Sequence, residues 1–218
     1  MAPTTGLVGP RGATEPVPTR KKEAMKGLED VIVAAAEVEA FCHGHGWRFC
    51  FIGGLSVQRW GMPRFTQDID LTLMTGLGNE DKFIDALLES FPGRLANARQ
   101  FALERRVLLA RTTGFIDLDI ALGAFPFEEA SIGRATPWPV NEAVTLTTCS
   151  AEDLIIHKVF AARDRDWGDV ESILVRQIGK LNMAYIRREL PPLLELKDDV
   201  EAMEKLERMI VTVEKRSR

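Results

Sequence analysis

The 218-residue chain carries 28 Lys and Arg against 32 Asp and Glu, for a formal net charge of −4. That balance excludes a globally basic nucleic-acid binder, although a local basic patch stays compatible with it. Three cysteines, Cys42, Cys50 and Cys149, are too few and too odd in number for a disulfide framework and suit a reducing compartment.

Residues 1–22 hold Pro3, Pro10, Pro16 and Pro18 among Gly, Thr and Ala, a composition that predicts a disordered tail ending in basic Arg20-Lys21-Lys22. Residues 23–43 read as a helix, because Leu28, Val31, Ile32, Ala35, Val38 and Phe41 recur at helical spacing before Gly44 and Gly46. Cys42, His43 and His45 lie near its end but supply three donors where a structural zinc takes four. Residues 47–52 read as a strand, 54–60 as a short helix, and Gly61-Met-Pro63 as its stop. Next come Arg64, Thr66 and the strand Asp68-Ile-Asp70-Leu-Thr-Leu73.

Residues 80–91 form an amphipathic helix with Phe83, Ile84, Leu87 and Leu88 on one face. Residues 101–111 and 115–122 read as the two strands of a hairpin around Thr112-Thr113-Gly114. Residues 125–140 read as loop, with Pro126, Pro137 and Pro139, and residues 144–146 as a short edge strand. Ser150-Ala-Glu-Asp153 has the form of a capping box that opens a helix to about Ala162. Further helices are predicted over 170–178, 182–190 and 200–213, with Pro191-Pro192 closing the second. Lys205, Arg208, Lys215, Arg216 and Arg218 make the end basic.

The informative stretch is Phe51-Ile-Gly-Gly-Leu-Ser-Val-Gln-Arg-Trp followed by Arg64-Phe-Thr-Gln-Asp-Ile-Asp-Leu. A glycine turn entering a helix presents backbone N–H groups to a phosphate, here around Gly53, Gly54 and Ser56. On a strand, residues two apart share a face, so Asp68 and Asp70 stand together while Ile69 and Leu71 enter the core. Paired carboxylates repel, and a cation relieves them. Mg²⁺ favours one or two carboxylates plus substrate phosphates. Read without function, the stretch is a surface strand with two solvated acids after a tight turn. A second such pair, Asp117 and Asp119, sits on the later strand.

This pattern resembles the nucleotidyltransferase superfamily, whose signature is Gly-Gly or Gly-Ser, a spacer, and Asp-x-Asp between apolar residues. Arg64-Phe-Thr66-Gln-Asp68-Ile-Asp70-Leu most resembles its AbiEii-type toxin branch. The resemblance implies an α/β (α+β) fold: a small mixed sheet with flanking helices over 23–148, then a C-terminal helical bundle over 149–218. It implies a third carboxylate from a neighbouring strand, with Asp119 favoured and Asp117 the fallback. Asp153-Leu-x-x-x-Lys158 followed by Arg163-x-x-Asp166-x-x-Asp169 resembles a second family segment. By it Lys158 binds nucleotide phosphate and Asp166 or Asp169 completes the site, and Arg64 and Thr66, just before the first acids, are counted with the nucleotide-binding residues. The implied activity moves a nucleoside monophosphate from an NTP to a hydroxyl. Asp68, Asp70 and Asp119 would hold two Mg²⁺ ions, with Mn²⁺ as the alternative.

The acceptor implied first is RNA, a tRNA 3′ end, for a cytoplasmic toxin acting with an antitoxin protein. The other readings are transfer to a small hydroxylated molecule or a protein side chain, and a non-catalytic nucleotide-binding module. No membrane partner is expected, since no stretch approaches the length of a span.

Overall fold

Alternating apolar residues build the centre of a six-stranded mixed sheet in the computed structural model, which describes residues 27–199 and 201–216. The tail read over 1–22, with its basic triplet, and Arg218 lie outside the described residues. Helix α1 (Leu28–Gly44) leads to β1 (Phe49–Phe51), α2 (Gly53–Trp60) and β2 (Asp68–Met74). Helices α3 (Glu80–Ser90) and α4 (Ala98–Arg105) precede β3 (Val107–Arg111) and β4 (Asp117–Gly123). Then come α5 (Pro126–Gly133), β5 (Thr136–Pro139), β6 (Thr145–Thr148), α6 (Ala151–Ala161), α7 (Asp164–Arg176), α8 (Met183–Glu195) and α9 (Glu201–Arg216).

The strand order is β3-β4-β2-β1-β6-β5. β2 and β4 run parallel with Asp68 opposite Asp117 and Asp70 opposite Asp119. β3 and β4 form the expected antiparallel hairpin. One face of the sheet buries Phe49, Phe51, Ile69, Leu71, Leu118 and Ile120 against Val31, Ala35 and Val38 of α1 and Ile84 and Leu87 of α3. On the other face Cys50 joins Val57 of α2, Phe127 of α5, and the apolar sides of α6 to α9 in a second core. The period of two sends the aspartates of β2 and β4 to this second face.

A buried polar knot ties three of these helices together. Tyr185 Oη donates to Asp153 Oδ1 at 2.9 Å, Ser150 Oγ donates to Asp153 Oδ2 at 2.7 Å, and Arg134 pairs with the same carboxylate. Ser150 Oγ also accepts from the Asp153 amide at 3.1 Å, so the predicted cap is formed.

Five segments differ from the sequence expectation. Residues 98–105 are helical, so the strand read over 101–111 begins only at Val107. Ala98 and Ala102 face the core four residues apart, and Arg106, at φ 54, turns the corner by bonding the Leu122 carbonyl and pairing with Glu80. The loop read over 125–140 contains α5, which starts with Pro126 in its first turn and with Glu128 Oε2 accepting from the Phe125 amide at 2.9 Å. The rest of it forms β5, whose two prolines are tolerated because it is the sheet edge. β6 is therefore internal, between β1 and β5. Finally, α7 starts at Asp164 rather than near Val170, and α8 runs through Pro191-Pro192 to Glu195. The second result follows from packing: Ile186, Leu190 and Leu194 recur at four-residue spacing on the buried side and hold the helix past the missing donors.

Candidate active site

The turn from β1 into α2 touches the first acids directly. Gly53 has φ +60, and a Cβ on it would lie 1.8 Å from Asp70 Oδ2. A Cβ on Gly54 would lie 2.2 Å from Thr66 Oγ1. Both glycines are therefore required for the backbone to approach the strand that carries the carboxylates. Gly53→Ala is expected to cost about 1–3 kcal/mol and to displace Asp70. Thermal melting beside a transfer assay checks it, and a variant matching wild type in both would show that the turn can relax.

Asp68, Asp70 and Asp119 line one open cleft of about 250 Å³ with Gly53, Gly54, Arg64, His157, Lys158, Arg163, Arg165 and Asp166. Thr66 Oγ1 donates to Asp68 Oδ1 at 2.8 Å and so orients that carboxylate. The Asp70 carboxyl is pushed up to about 6 by burial, then by the charges of Asp68 and Asp119, against partial relief from Lys158 and the Gly54 amide. Asp119 is raised as well, first by burial and then by Asp68 and Asp117, with Arg94 opposing.

Asp117 and Asp119 are separated by their partners. Arg94 Nη1 donates to Asp117 Oδ2 at 2.9 Å and Arg111 Nε donates to Asp117 Oδ1 at 2.8 Å. Burial works against its ionised form, yet bonds from Arg111 and Arg94 outweigh it and hold Asp117 below the ordinary carboxylate range. Asp119 shares Arg94 and reaches the cleft, which Asp117 does not line.

The second predicted cluster forms a buried network on α6 and α7. Lys158 Nζ sits 2.8 Å from Asp166 Oδ1 and 2.9 Å from Asp169 Oδ2. Arg64 grips the same Asp169 with two bonds of 2.6 and 2.8 Å. Asp169 thereby stays below its ordinary value although burial pushes the other way. Helix α7 places Asp166 and Asp169 three residues apart on one face, which is why both meet one ammonium.

Ser56 is not brought to the cleft. It is fully buried, and its hydroxyl donates to the Phe51 carbonyl at 2.9 Å. The basic end of α9 is largely engaged elsewhere: Arg216 meets Glu171 at 3.0 Å and Lys205 lies over Trp167. Sequence reasoning missed Arg94, which follows Pro92-Gly93 in a loop with no motif, and His157, which neighbours Lys158.

The donor set fits Mg²⁺. Among the described residues no three His, Cys, Asp or Glu side chains form a preformed cage. Mg²⁺ does not need one, because it takes a carboxylate or two and completes its shell with water and phosphate. The raised Asp70 shows the electrostatic burden that a cation would remove.

Carboxylates gathered from parallel strands stand beside a glycine turn with cations across the cleft, and the protein is a nucleotidyltransferase. It belongs to the nucleotidyl transferase AbiEii toxin family of type IV toxin–antitoxin systems, whose model matches residues 39–184. No curated protein matches the sequence. Similar solved structures include an antigenic nucleotidyltransferase-like protein from Paracoccidioides brasiliensis, 15% identical over 82% of this chain and 94% of that one, with a TM-score of 0.47. The antibiotic-resistance factor ANT(2'')-Ia is 16% identical over 83% and 97%, with a TM-score of 0.44. The CCA-adding enzyme in complex with CTP is 11% identical over 84% and 51%, with a TM-score of 0.35. Among the described residues no helix is long and apolar enough to cross a membrane.

Proposed function

We propose that this protein moves a nucleoside monophosphate from an NTP to a hydroxyl of RNA, first of all the 3′ end of tRNA, and releases pyrophosphate. The observation that carries the transfer reading is the register of Asp70 against Asp119, which puts acids from two strands beside Gly53 and Lys158 in one cleft. Asp68, Asp70 and Asp119 hold Mg²⁺, as two ions, with Mn²⁺ as the alternative. Asp119 is preferred to Asp117 because it reaches the cleft while two arginines occupy Asp117. Bound there, the metal would neutralise phosphate charge and make the attacking hydroxyl easier to deprotonate.

The chain's own groups mainly position and stabilise. The backbone of the turn at Gly53 seats the terminal phosphates, while the Gly54 amide holds Asp70. Thr66 fixes Asp68. Lys158 and Arg64 offset phosphate charge, and Asp166 and Asp169 hold those two cations in place. Arg163 and Arg165 stand at the cleft, where they meet the acceptor backbone. Membership of a toxin family supports a cognate antitoxin as partner. Three free, buried thiols suit the cytoplasm.

The test is incubation with each of four α-labelled NTPs and Mg²⁺, with and without total tRNA, with Asp68→Asn alongside. Label on tRNA from wild type alone is the expected result. Metal-dependent nucleotide binding with label on a protein or a small aminated alcohol instead would overturn the RNA acceptor and leave the transfer chemistry standing.

A further inference from the structure

A second cavity, of about 410 Å³, lies beside the cleft between the start of α5, α6 and α8. Phe125, Phe127, Phe160, Pro192 and Leu196 make its walls, and His157 lines both this cavity and the polar cleft. Its size and largely apolar lining are those of a small-molecule site. Phe125 and Phe160 are 52% and 40% exposed, so two aromatic rings stand open at one mouth. The His157 ring leans on Phe127 at 5.2 Å between centroids, while its Nε2 is sealed from solvent and has no hydrogen-bond partner. A buried polar atom without a partner is costly unless a ligand supplies one.

Charge fixes which end of a nucleotide belongs where. The polar cleft holds Arg64, Lys158, Arg163 and Arg165. The apolar cavity is lined by Glu128 and Glu189 and by no Lys or Arg; Lys197 stands outside it over the Phe160 ring at 5.6 Å and Arg188 pairs with Glu189, so the cavity offers phosphate none of the cleft's cations. Glu128 is already committed to the amides of Ala124 and Phe125 at 2.8 and 2.9 Å.

We propose that this cavity is the base site: it takes the heterocyclic base of the nucleoside triphosphate whose phosphates occupy the adjoining cleft, and His157 reads the edge of that base. The inference rests on the nucleotidyl-transfer reading above. A flat heterocycle stacks on the open aromatic faces and carries donors and acceptors on its rim, and a small turn of the His157 ring brings its sealed nitrogen to that rim. Burial, then the charge of Lys158, lowers the His157 pKa to about 4, so the imidazole is neutral at pH 7 and offers one donor and one acceptor nitrogen.

Calorimetric titration with Mg²⁺ separates the two halves of the ligand. Inorganic tripolyphosphate and each of the four NTPs are titrated into wild type, Phe160→Ala and His157→Gln, with melting curves confirming folding. Tripolyphosphate should bind all three proteins alike. The preferred NTP should bind Phe160→Ala about tenfold more weakly or worse. His157→Gln should lose the preference among the four bases. Unchanged NTP affinity and base preference in both variants, in a wild type that still labels its acceptor, would overturn the base site alone. A Phe160→Ala effect confined to the KM for RNA would also overturn it, by assigning the cavity to the acceptor. Failure of wild type to bind any NTP would remove the transfer reading itself, and this inference with it.

Discussion

Asp70→Asn is expected to lower nucleotidyl transfer by about 10³-fold or more while raising the thermal stability of the metal-free protein. The two effects share one cause. In the folded chain burial, and then the charges of Asp68 and Asp119, push the Asp70 carboxyl up to about 6 from 3.8. A folded protein that binds a proton more tightly than the unfolded chain gains stability as pH falls and loses it as pH rises. The Asp70 penalty is therefore complete above about pH 6, shrinks below it, and is gone below 3.8. Asn carries no charge at any pH, and its carbonyl can still accept from the Gly54 amide. The variant should gain about 1–3 kcal/mol at pH 8 in EDTA, and the gain should fade towards pH 4. Melting curves across that range beside the labelled-NTP assay measure both. A variant less stable than wild type at pH 8, or one that retains transfer, would falsify the assignment of Asp70 as a carboxylate held ionised for a cation.

That site was legible because its parts are local. Gly53-Gly54 and Asp68-x-Asp70 are separated by little more than one short helix, and the alternation around Asp68 and Asp70 tells which side chains leave the core. The pairing of Asp70 with Asp119 could be anticipated because both strands carry the same apolar-acid pattern. Spacing and alternation alone do not rank Asp117 against Asp119; only the family resemblance favours Asp119. What distinguishes them in the fold is Arg111, which bonds Asp117, and the cleft, which Asp119 lines; Arg94 reaches both from a loop more than twenty residues away in the chain, and no spacing rule connects that loop to them. Helix α4 was misread because Phe101-Ala-Leu103 alternates like a strand over a short window, whereas Ala98 and Ala102 carry the helical face. α8 was cut short at its prolines because local propensity counts a missing donor but not the packing of Leu190 and Leu194 beyond it. His157 was hidden as an unremarked position before Lys158, since an orphaned nitrogen becomes visible only when its neighbours are placed.

Lys158→Met should impair both the fold and the reaction, and the two losses can be separated. The ammonium is buried between Asp166 and Asp169, whose side chains are themselves almost wholly enclosed. Arg64 would still neutralise Asp169, but Asp166 would keep only Arg163, at 3.8 Å on an exposed side chain. Removing one member of a buried ion network leaves an uncompensated charge, which costs about 3–5 kcal/mol. Asp169 lies below its ordinary 3.8, so the network's contribution is full above that value and is lost as pH falls through the lowered one. The stability deficit of Lys158→Met should accordingly be greatest at neutral pH. Adding Asp166→Asn removes the stranded charge, and the double variant should recover much of the lost stability. Transfer should not recover with it, because the ammonium we propose for phosphate binding is still absent. Denaturant titrations of the two single variants and the double, beside tripolyphosphate binding, decide between the roles. Recovery of binding together with stability would make Lys158 a structural member of the α6–α7 contact and remove it from the phosphate site.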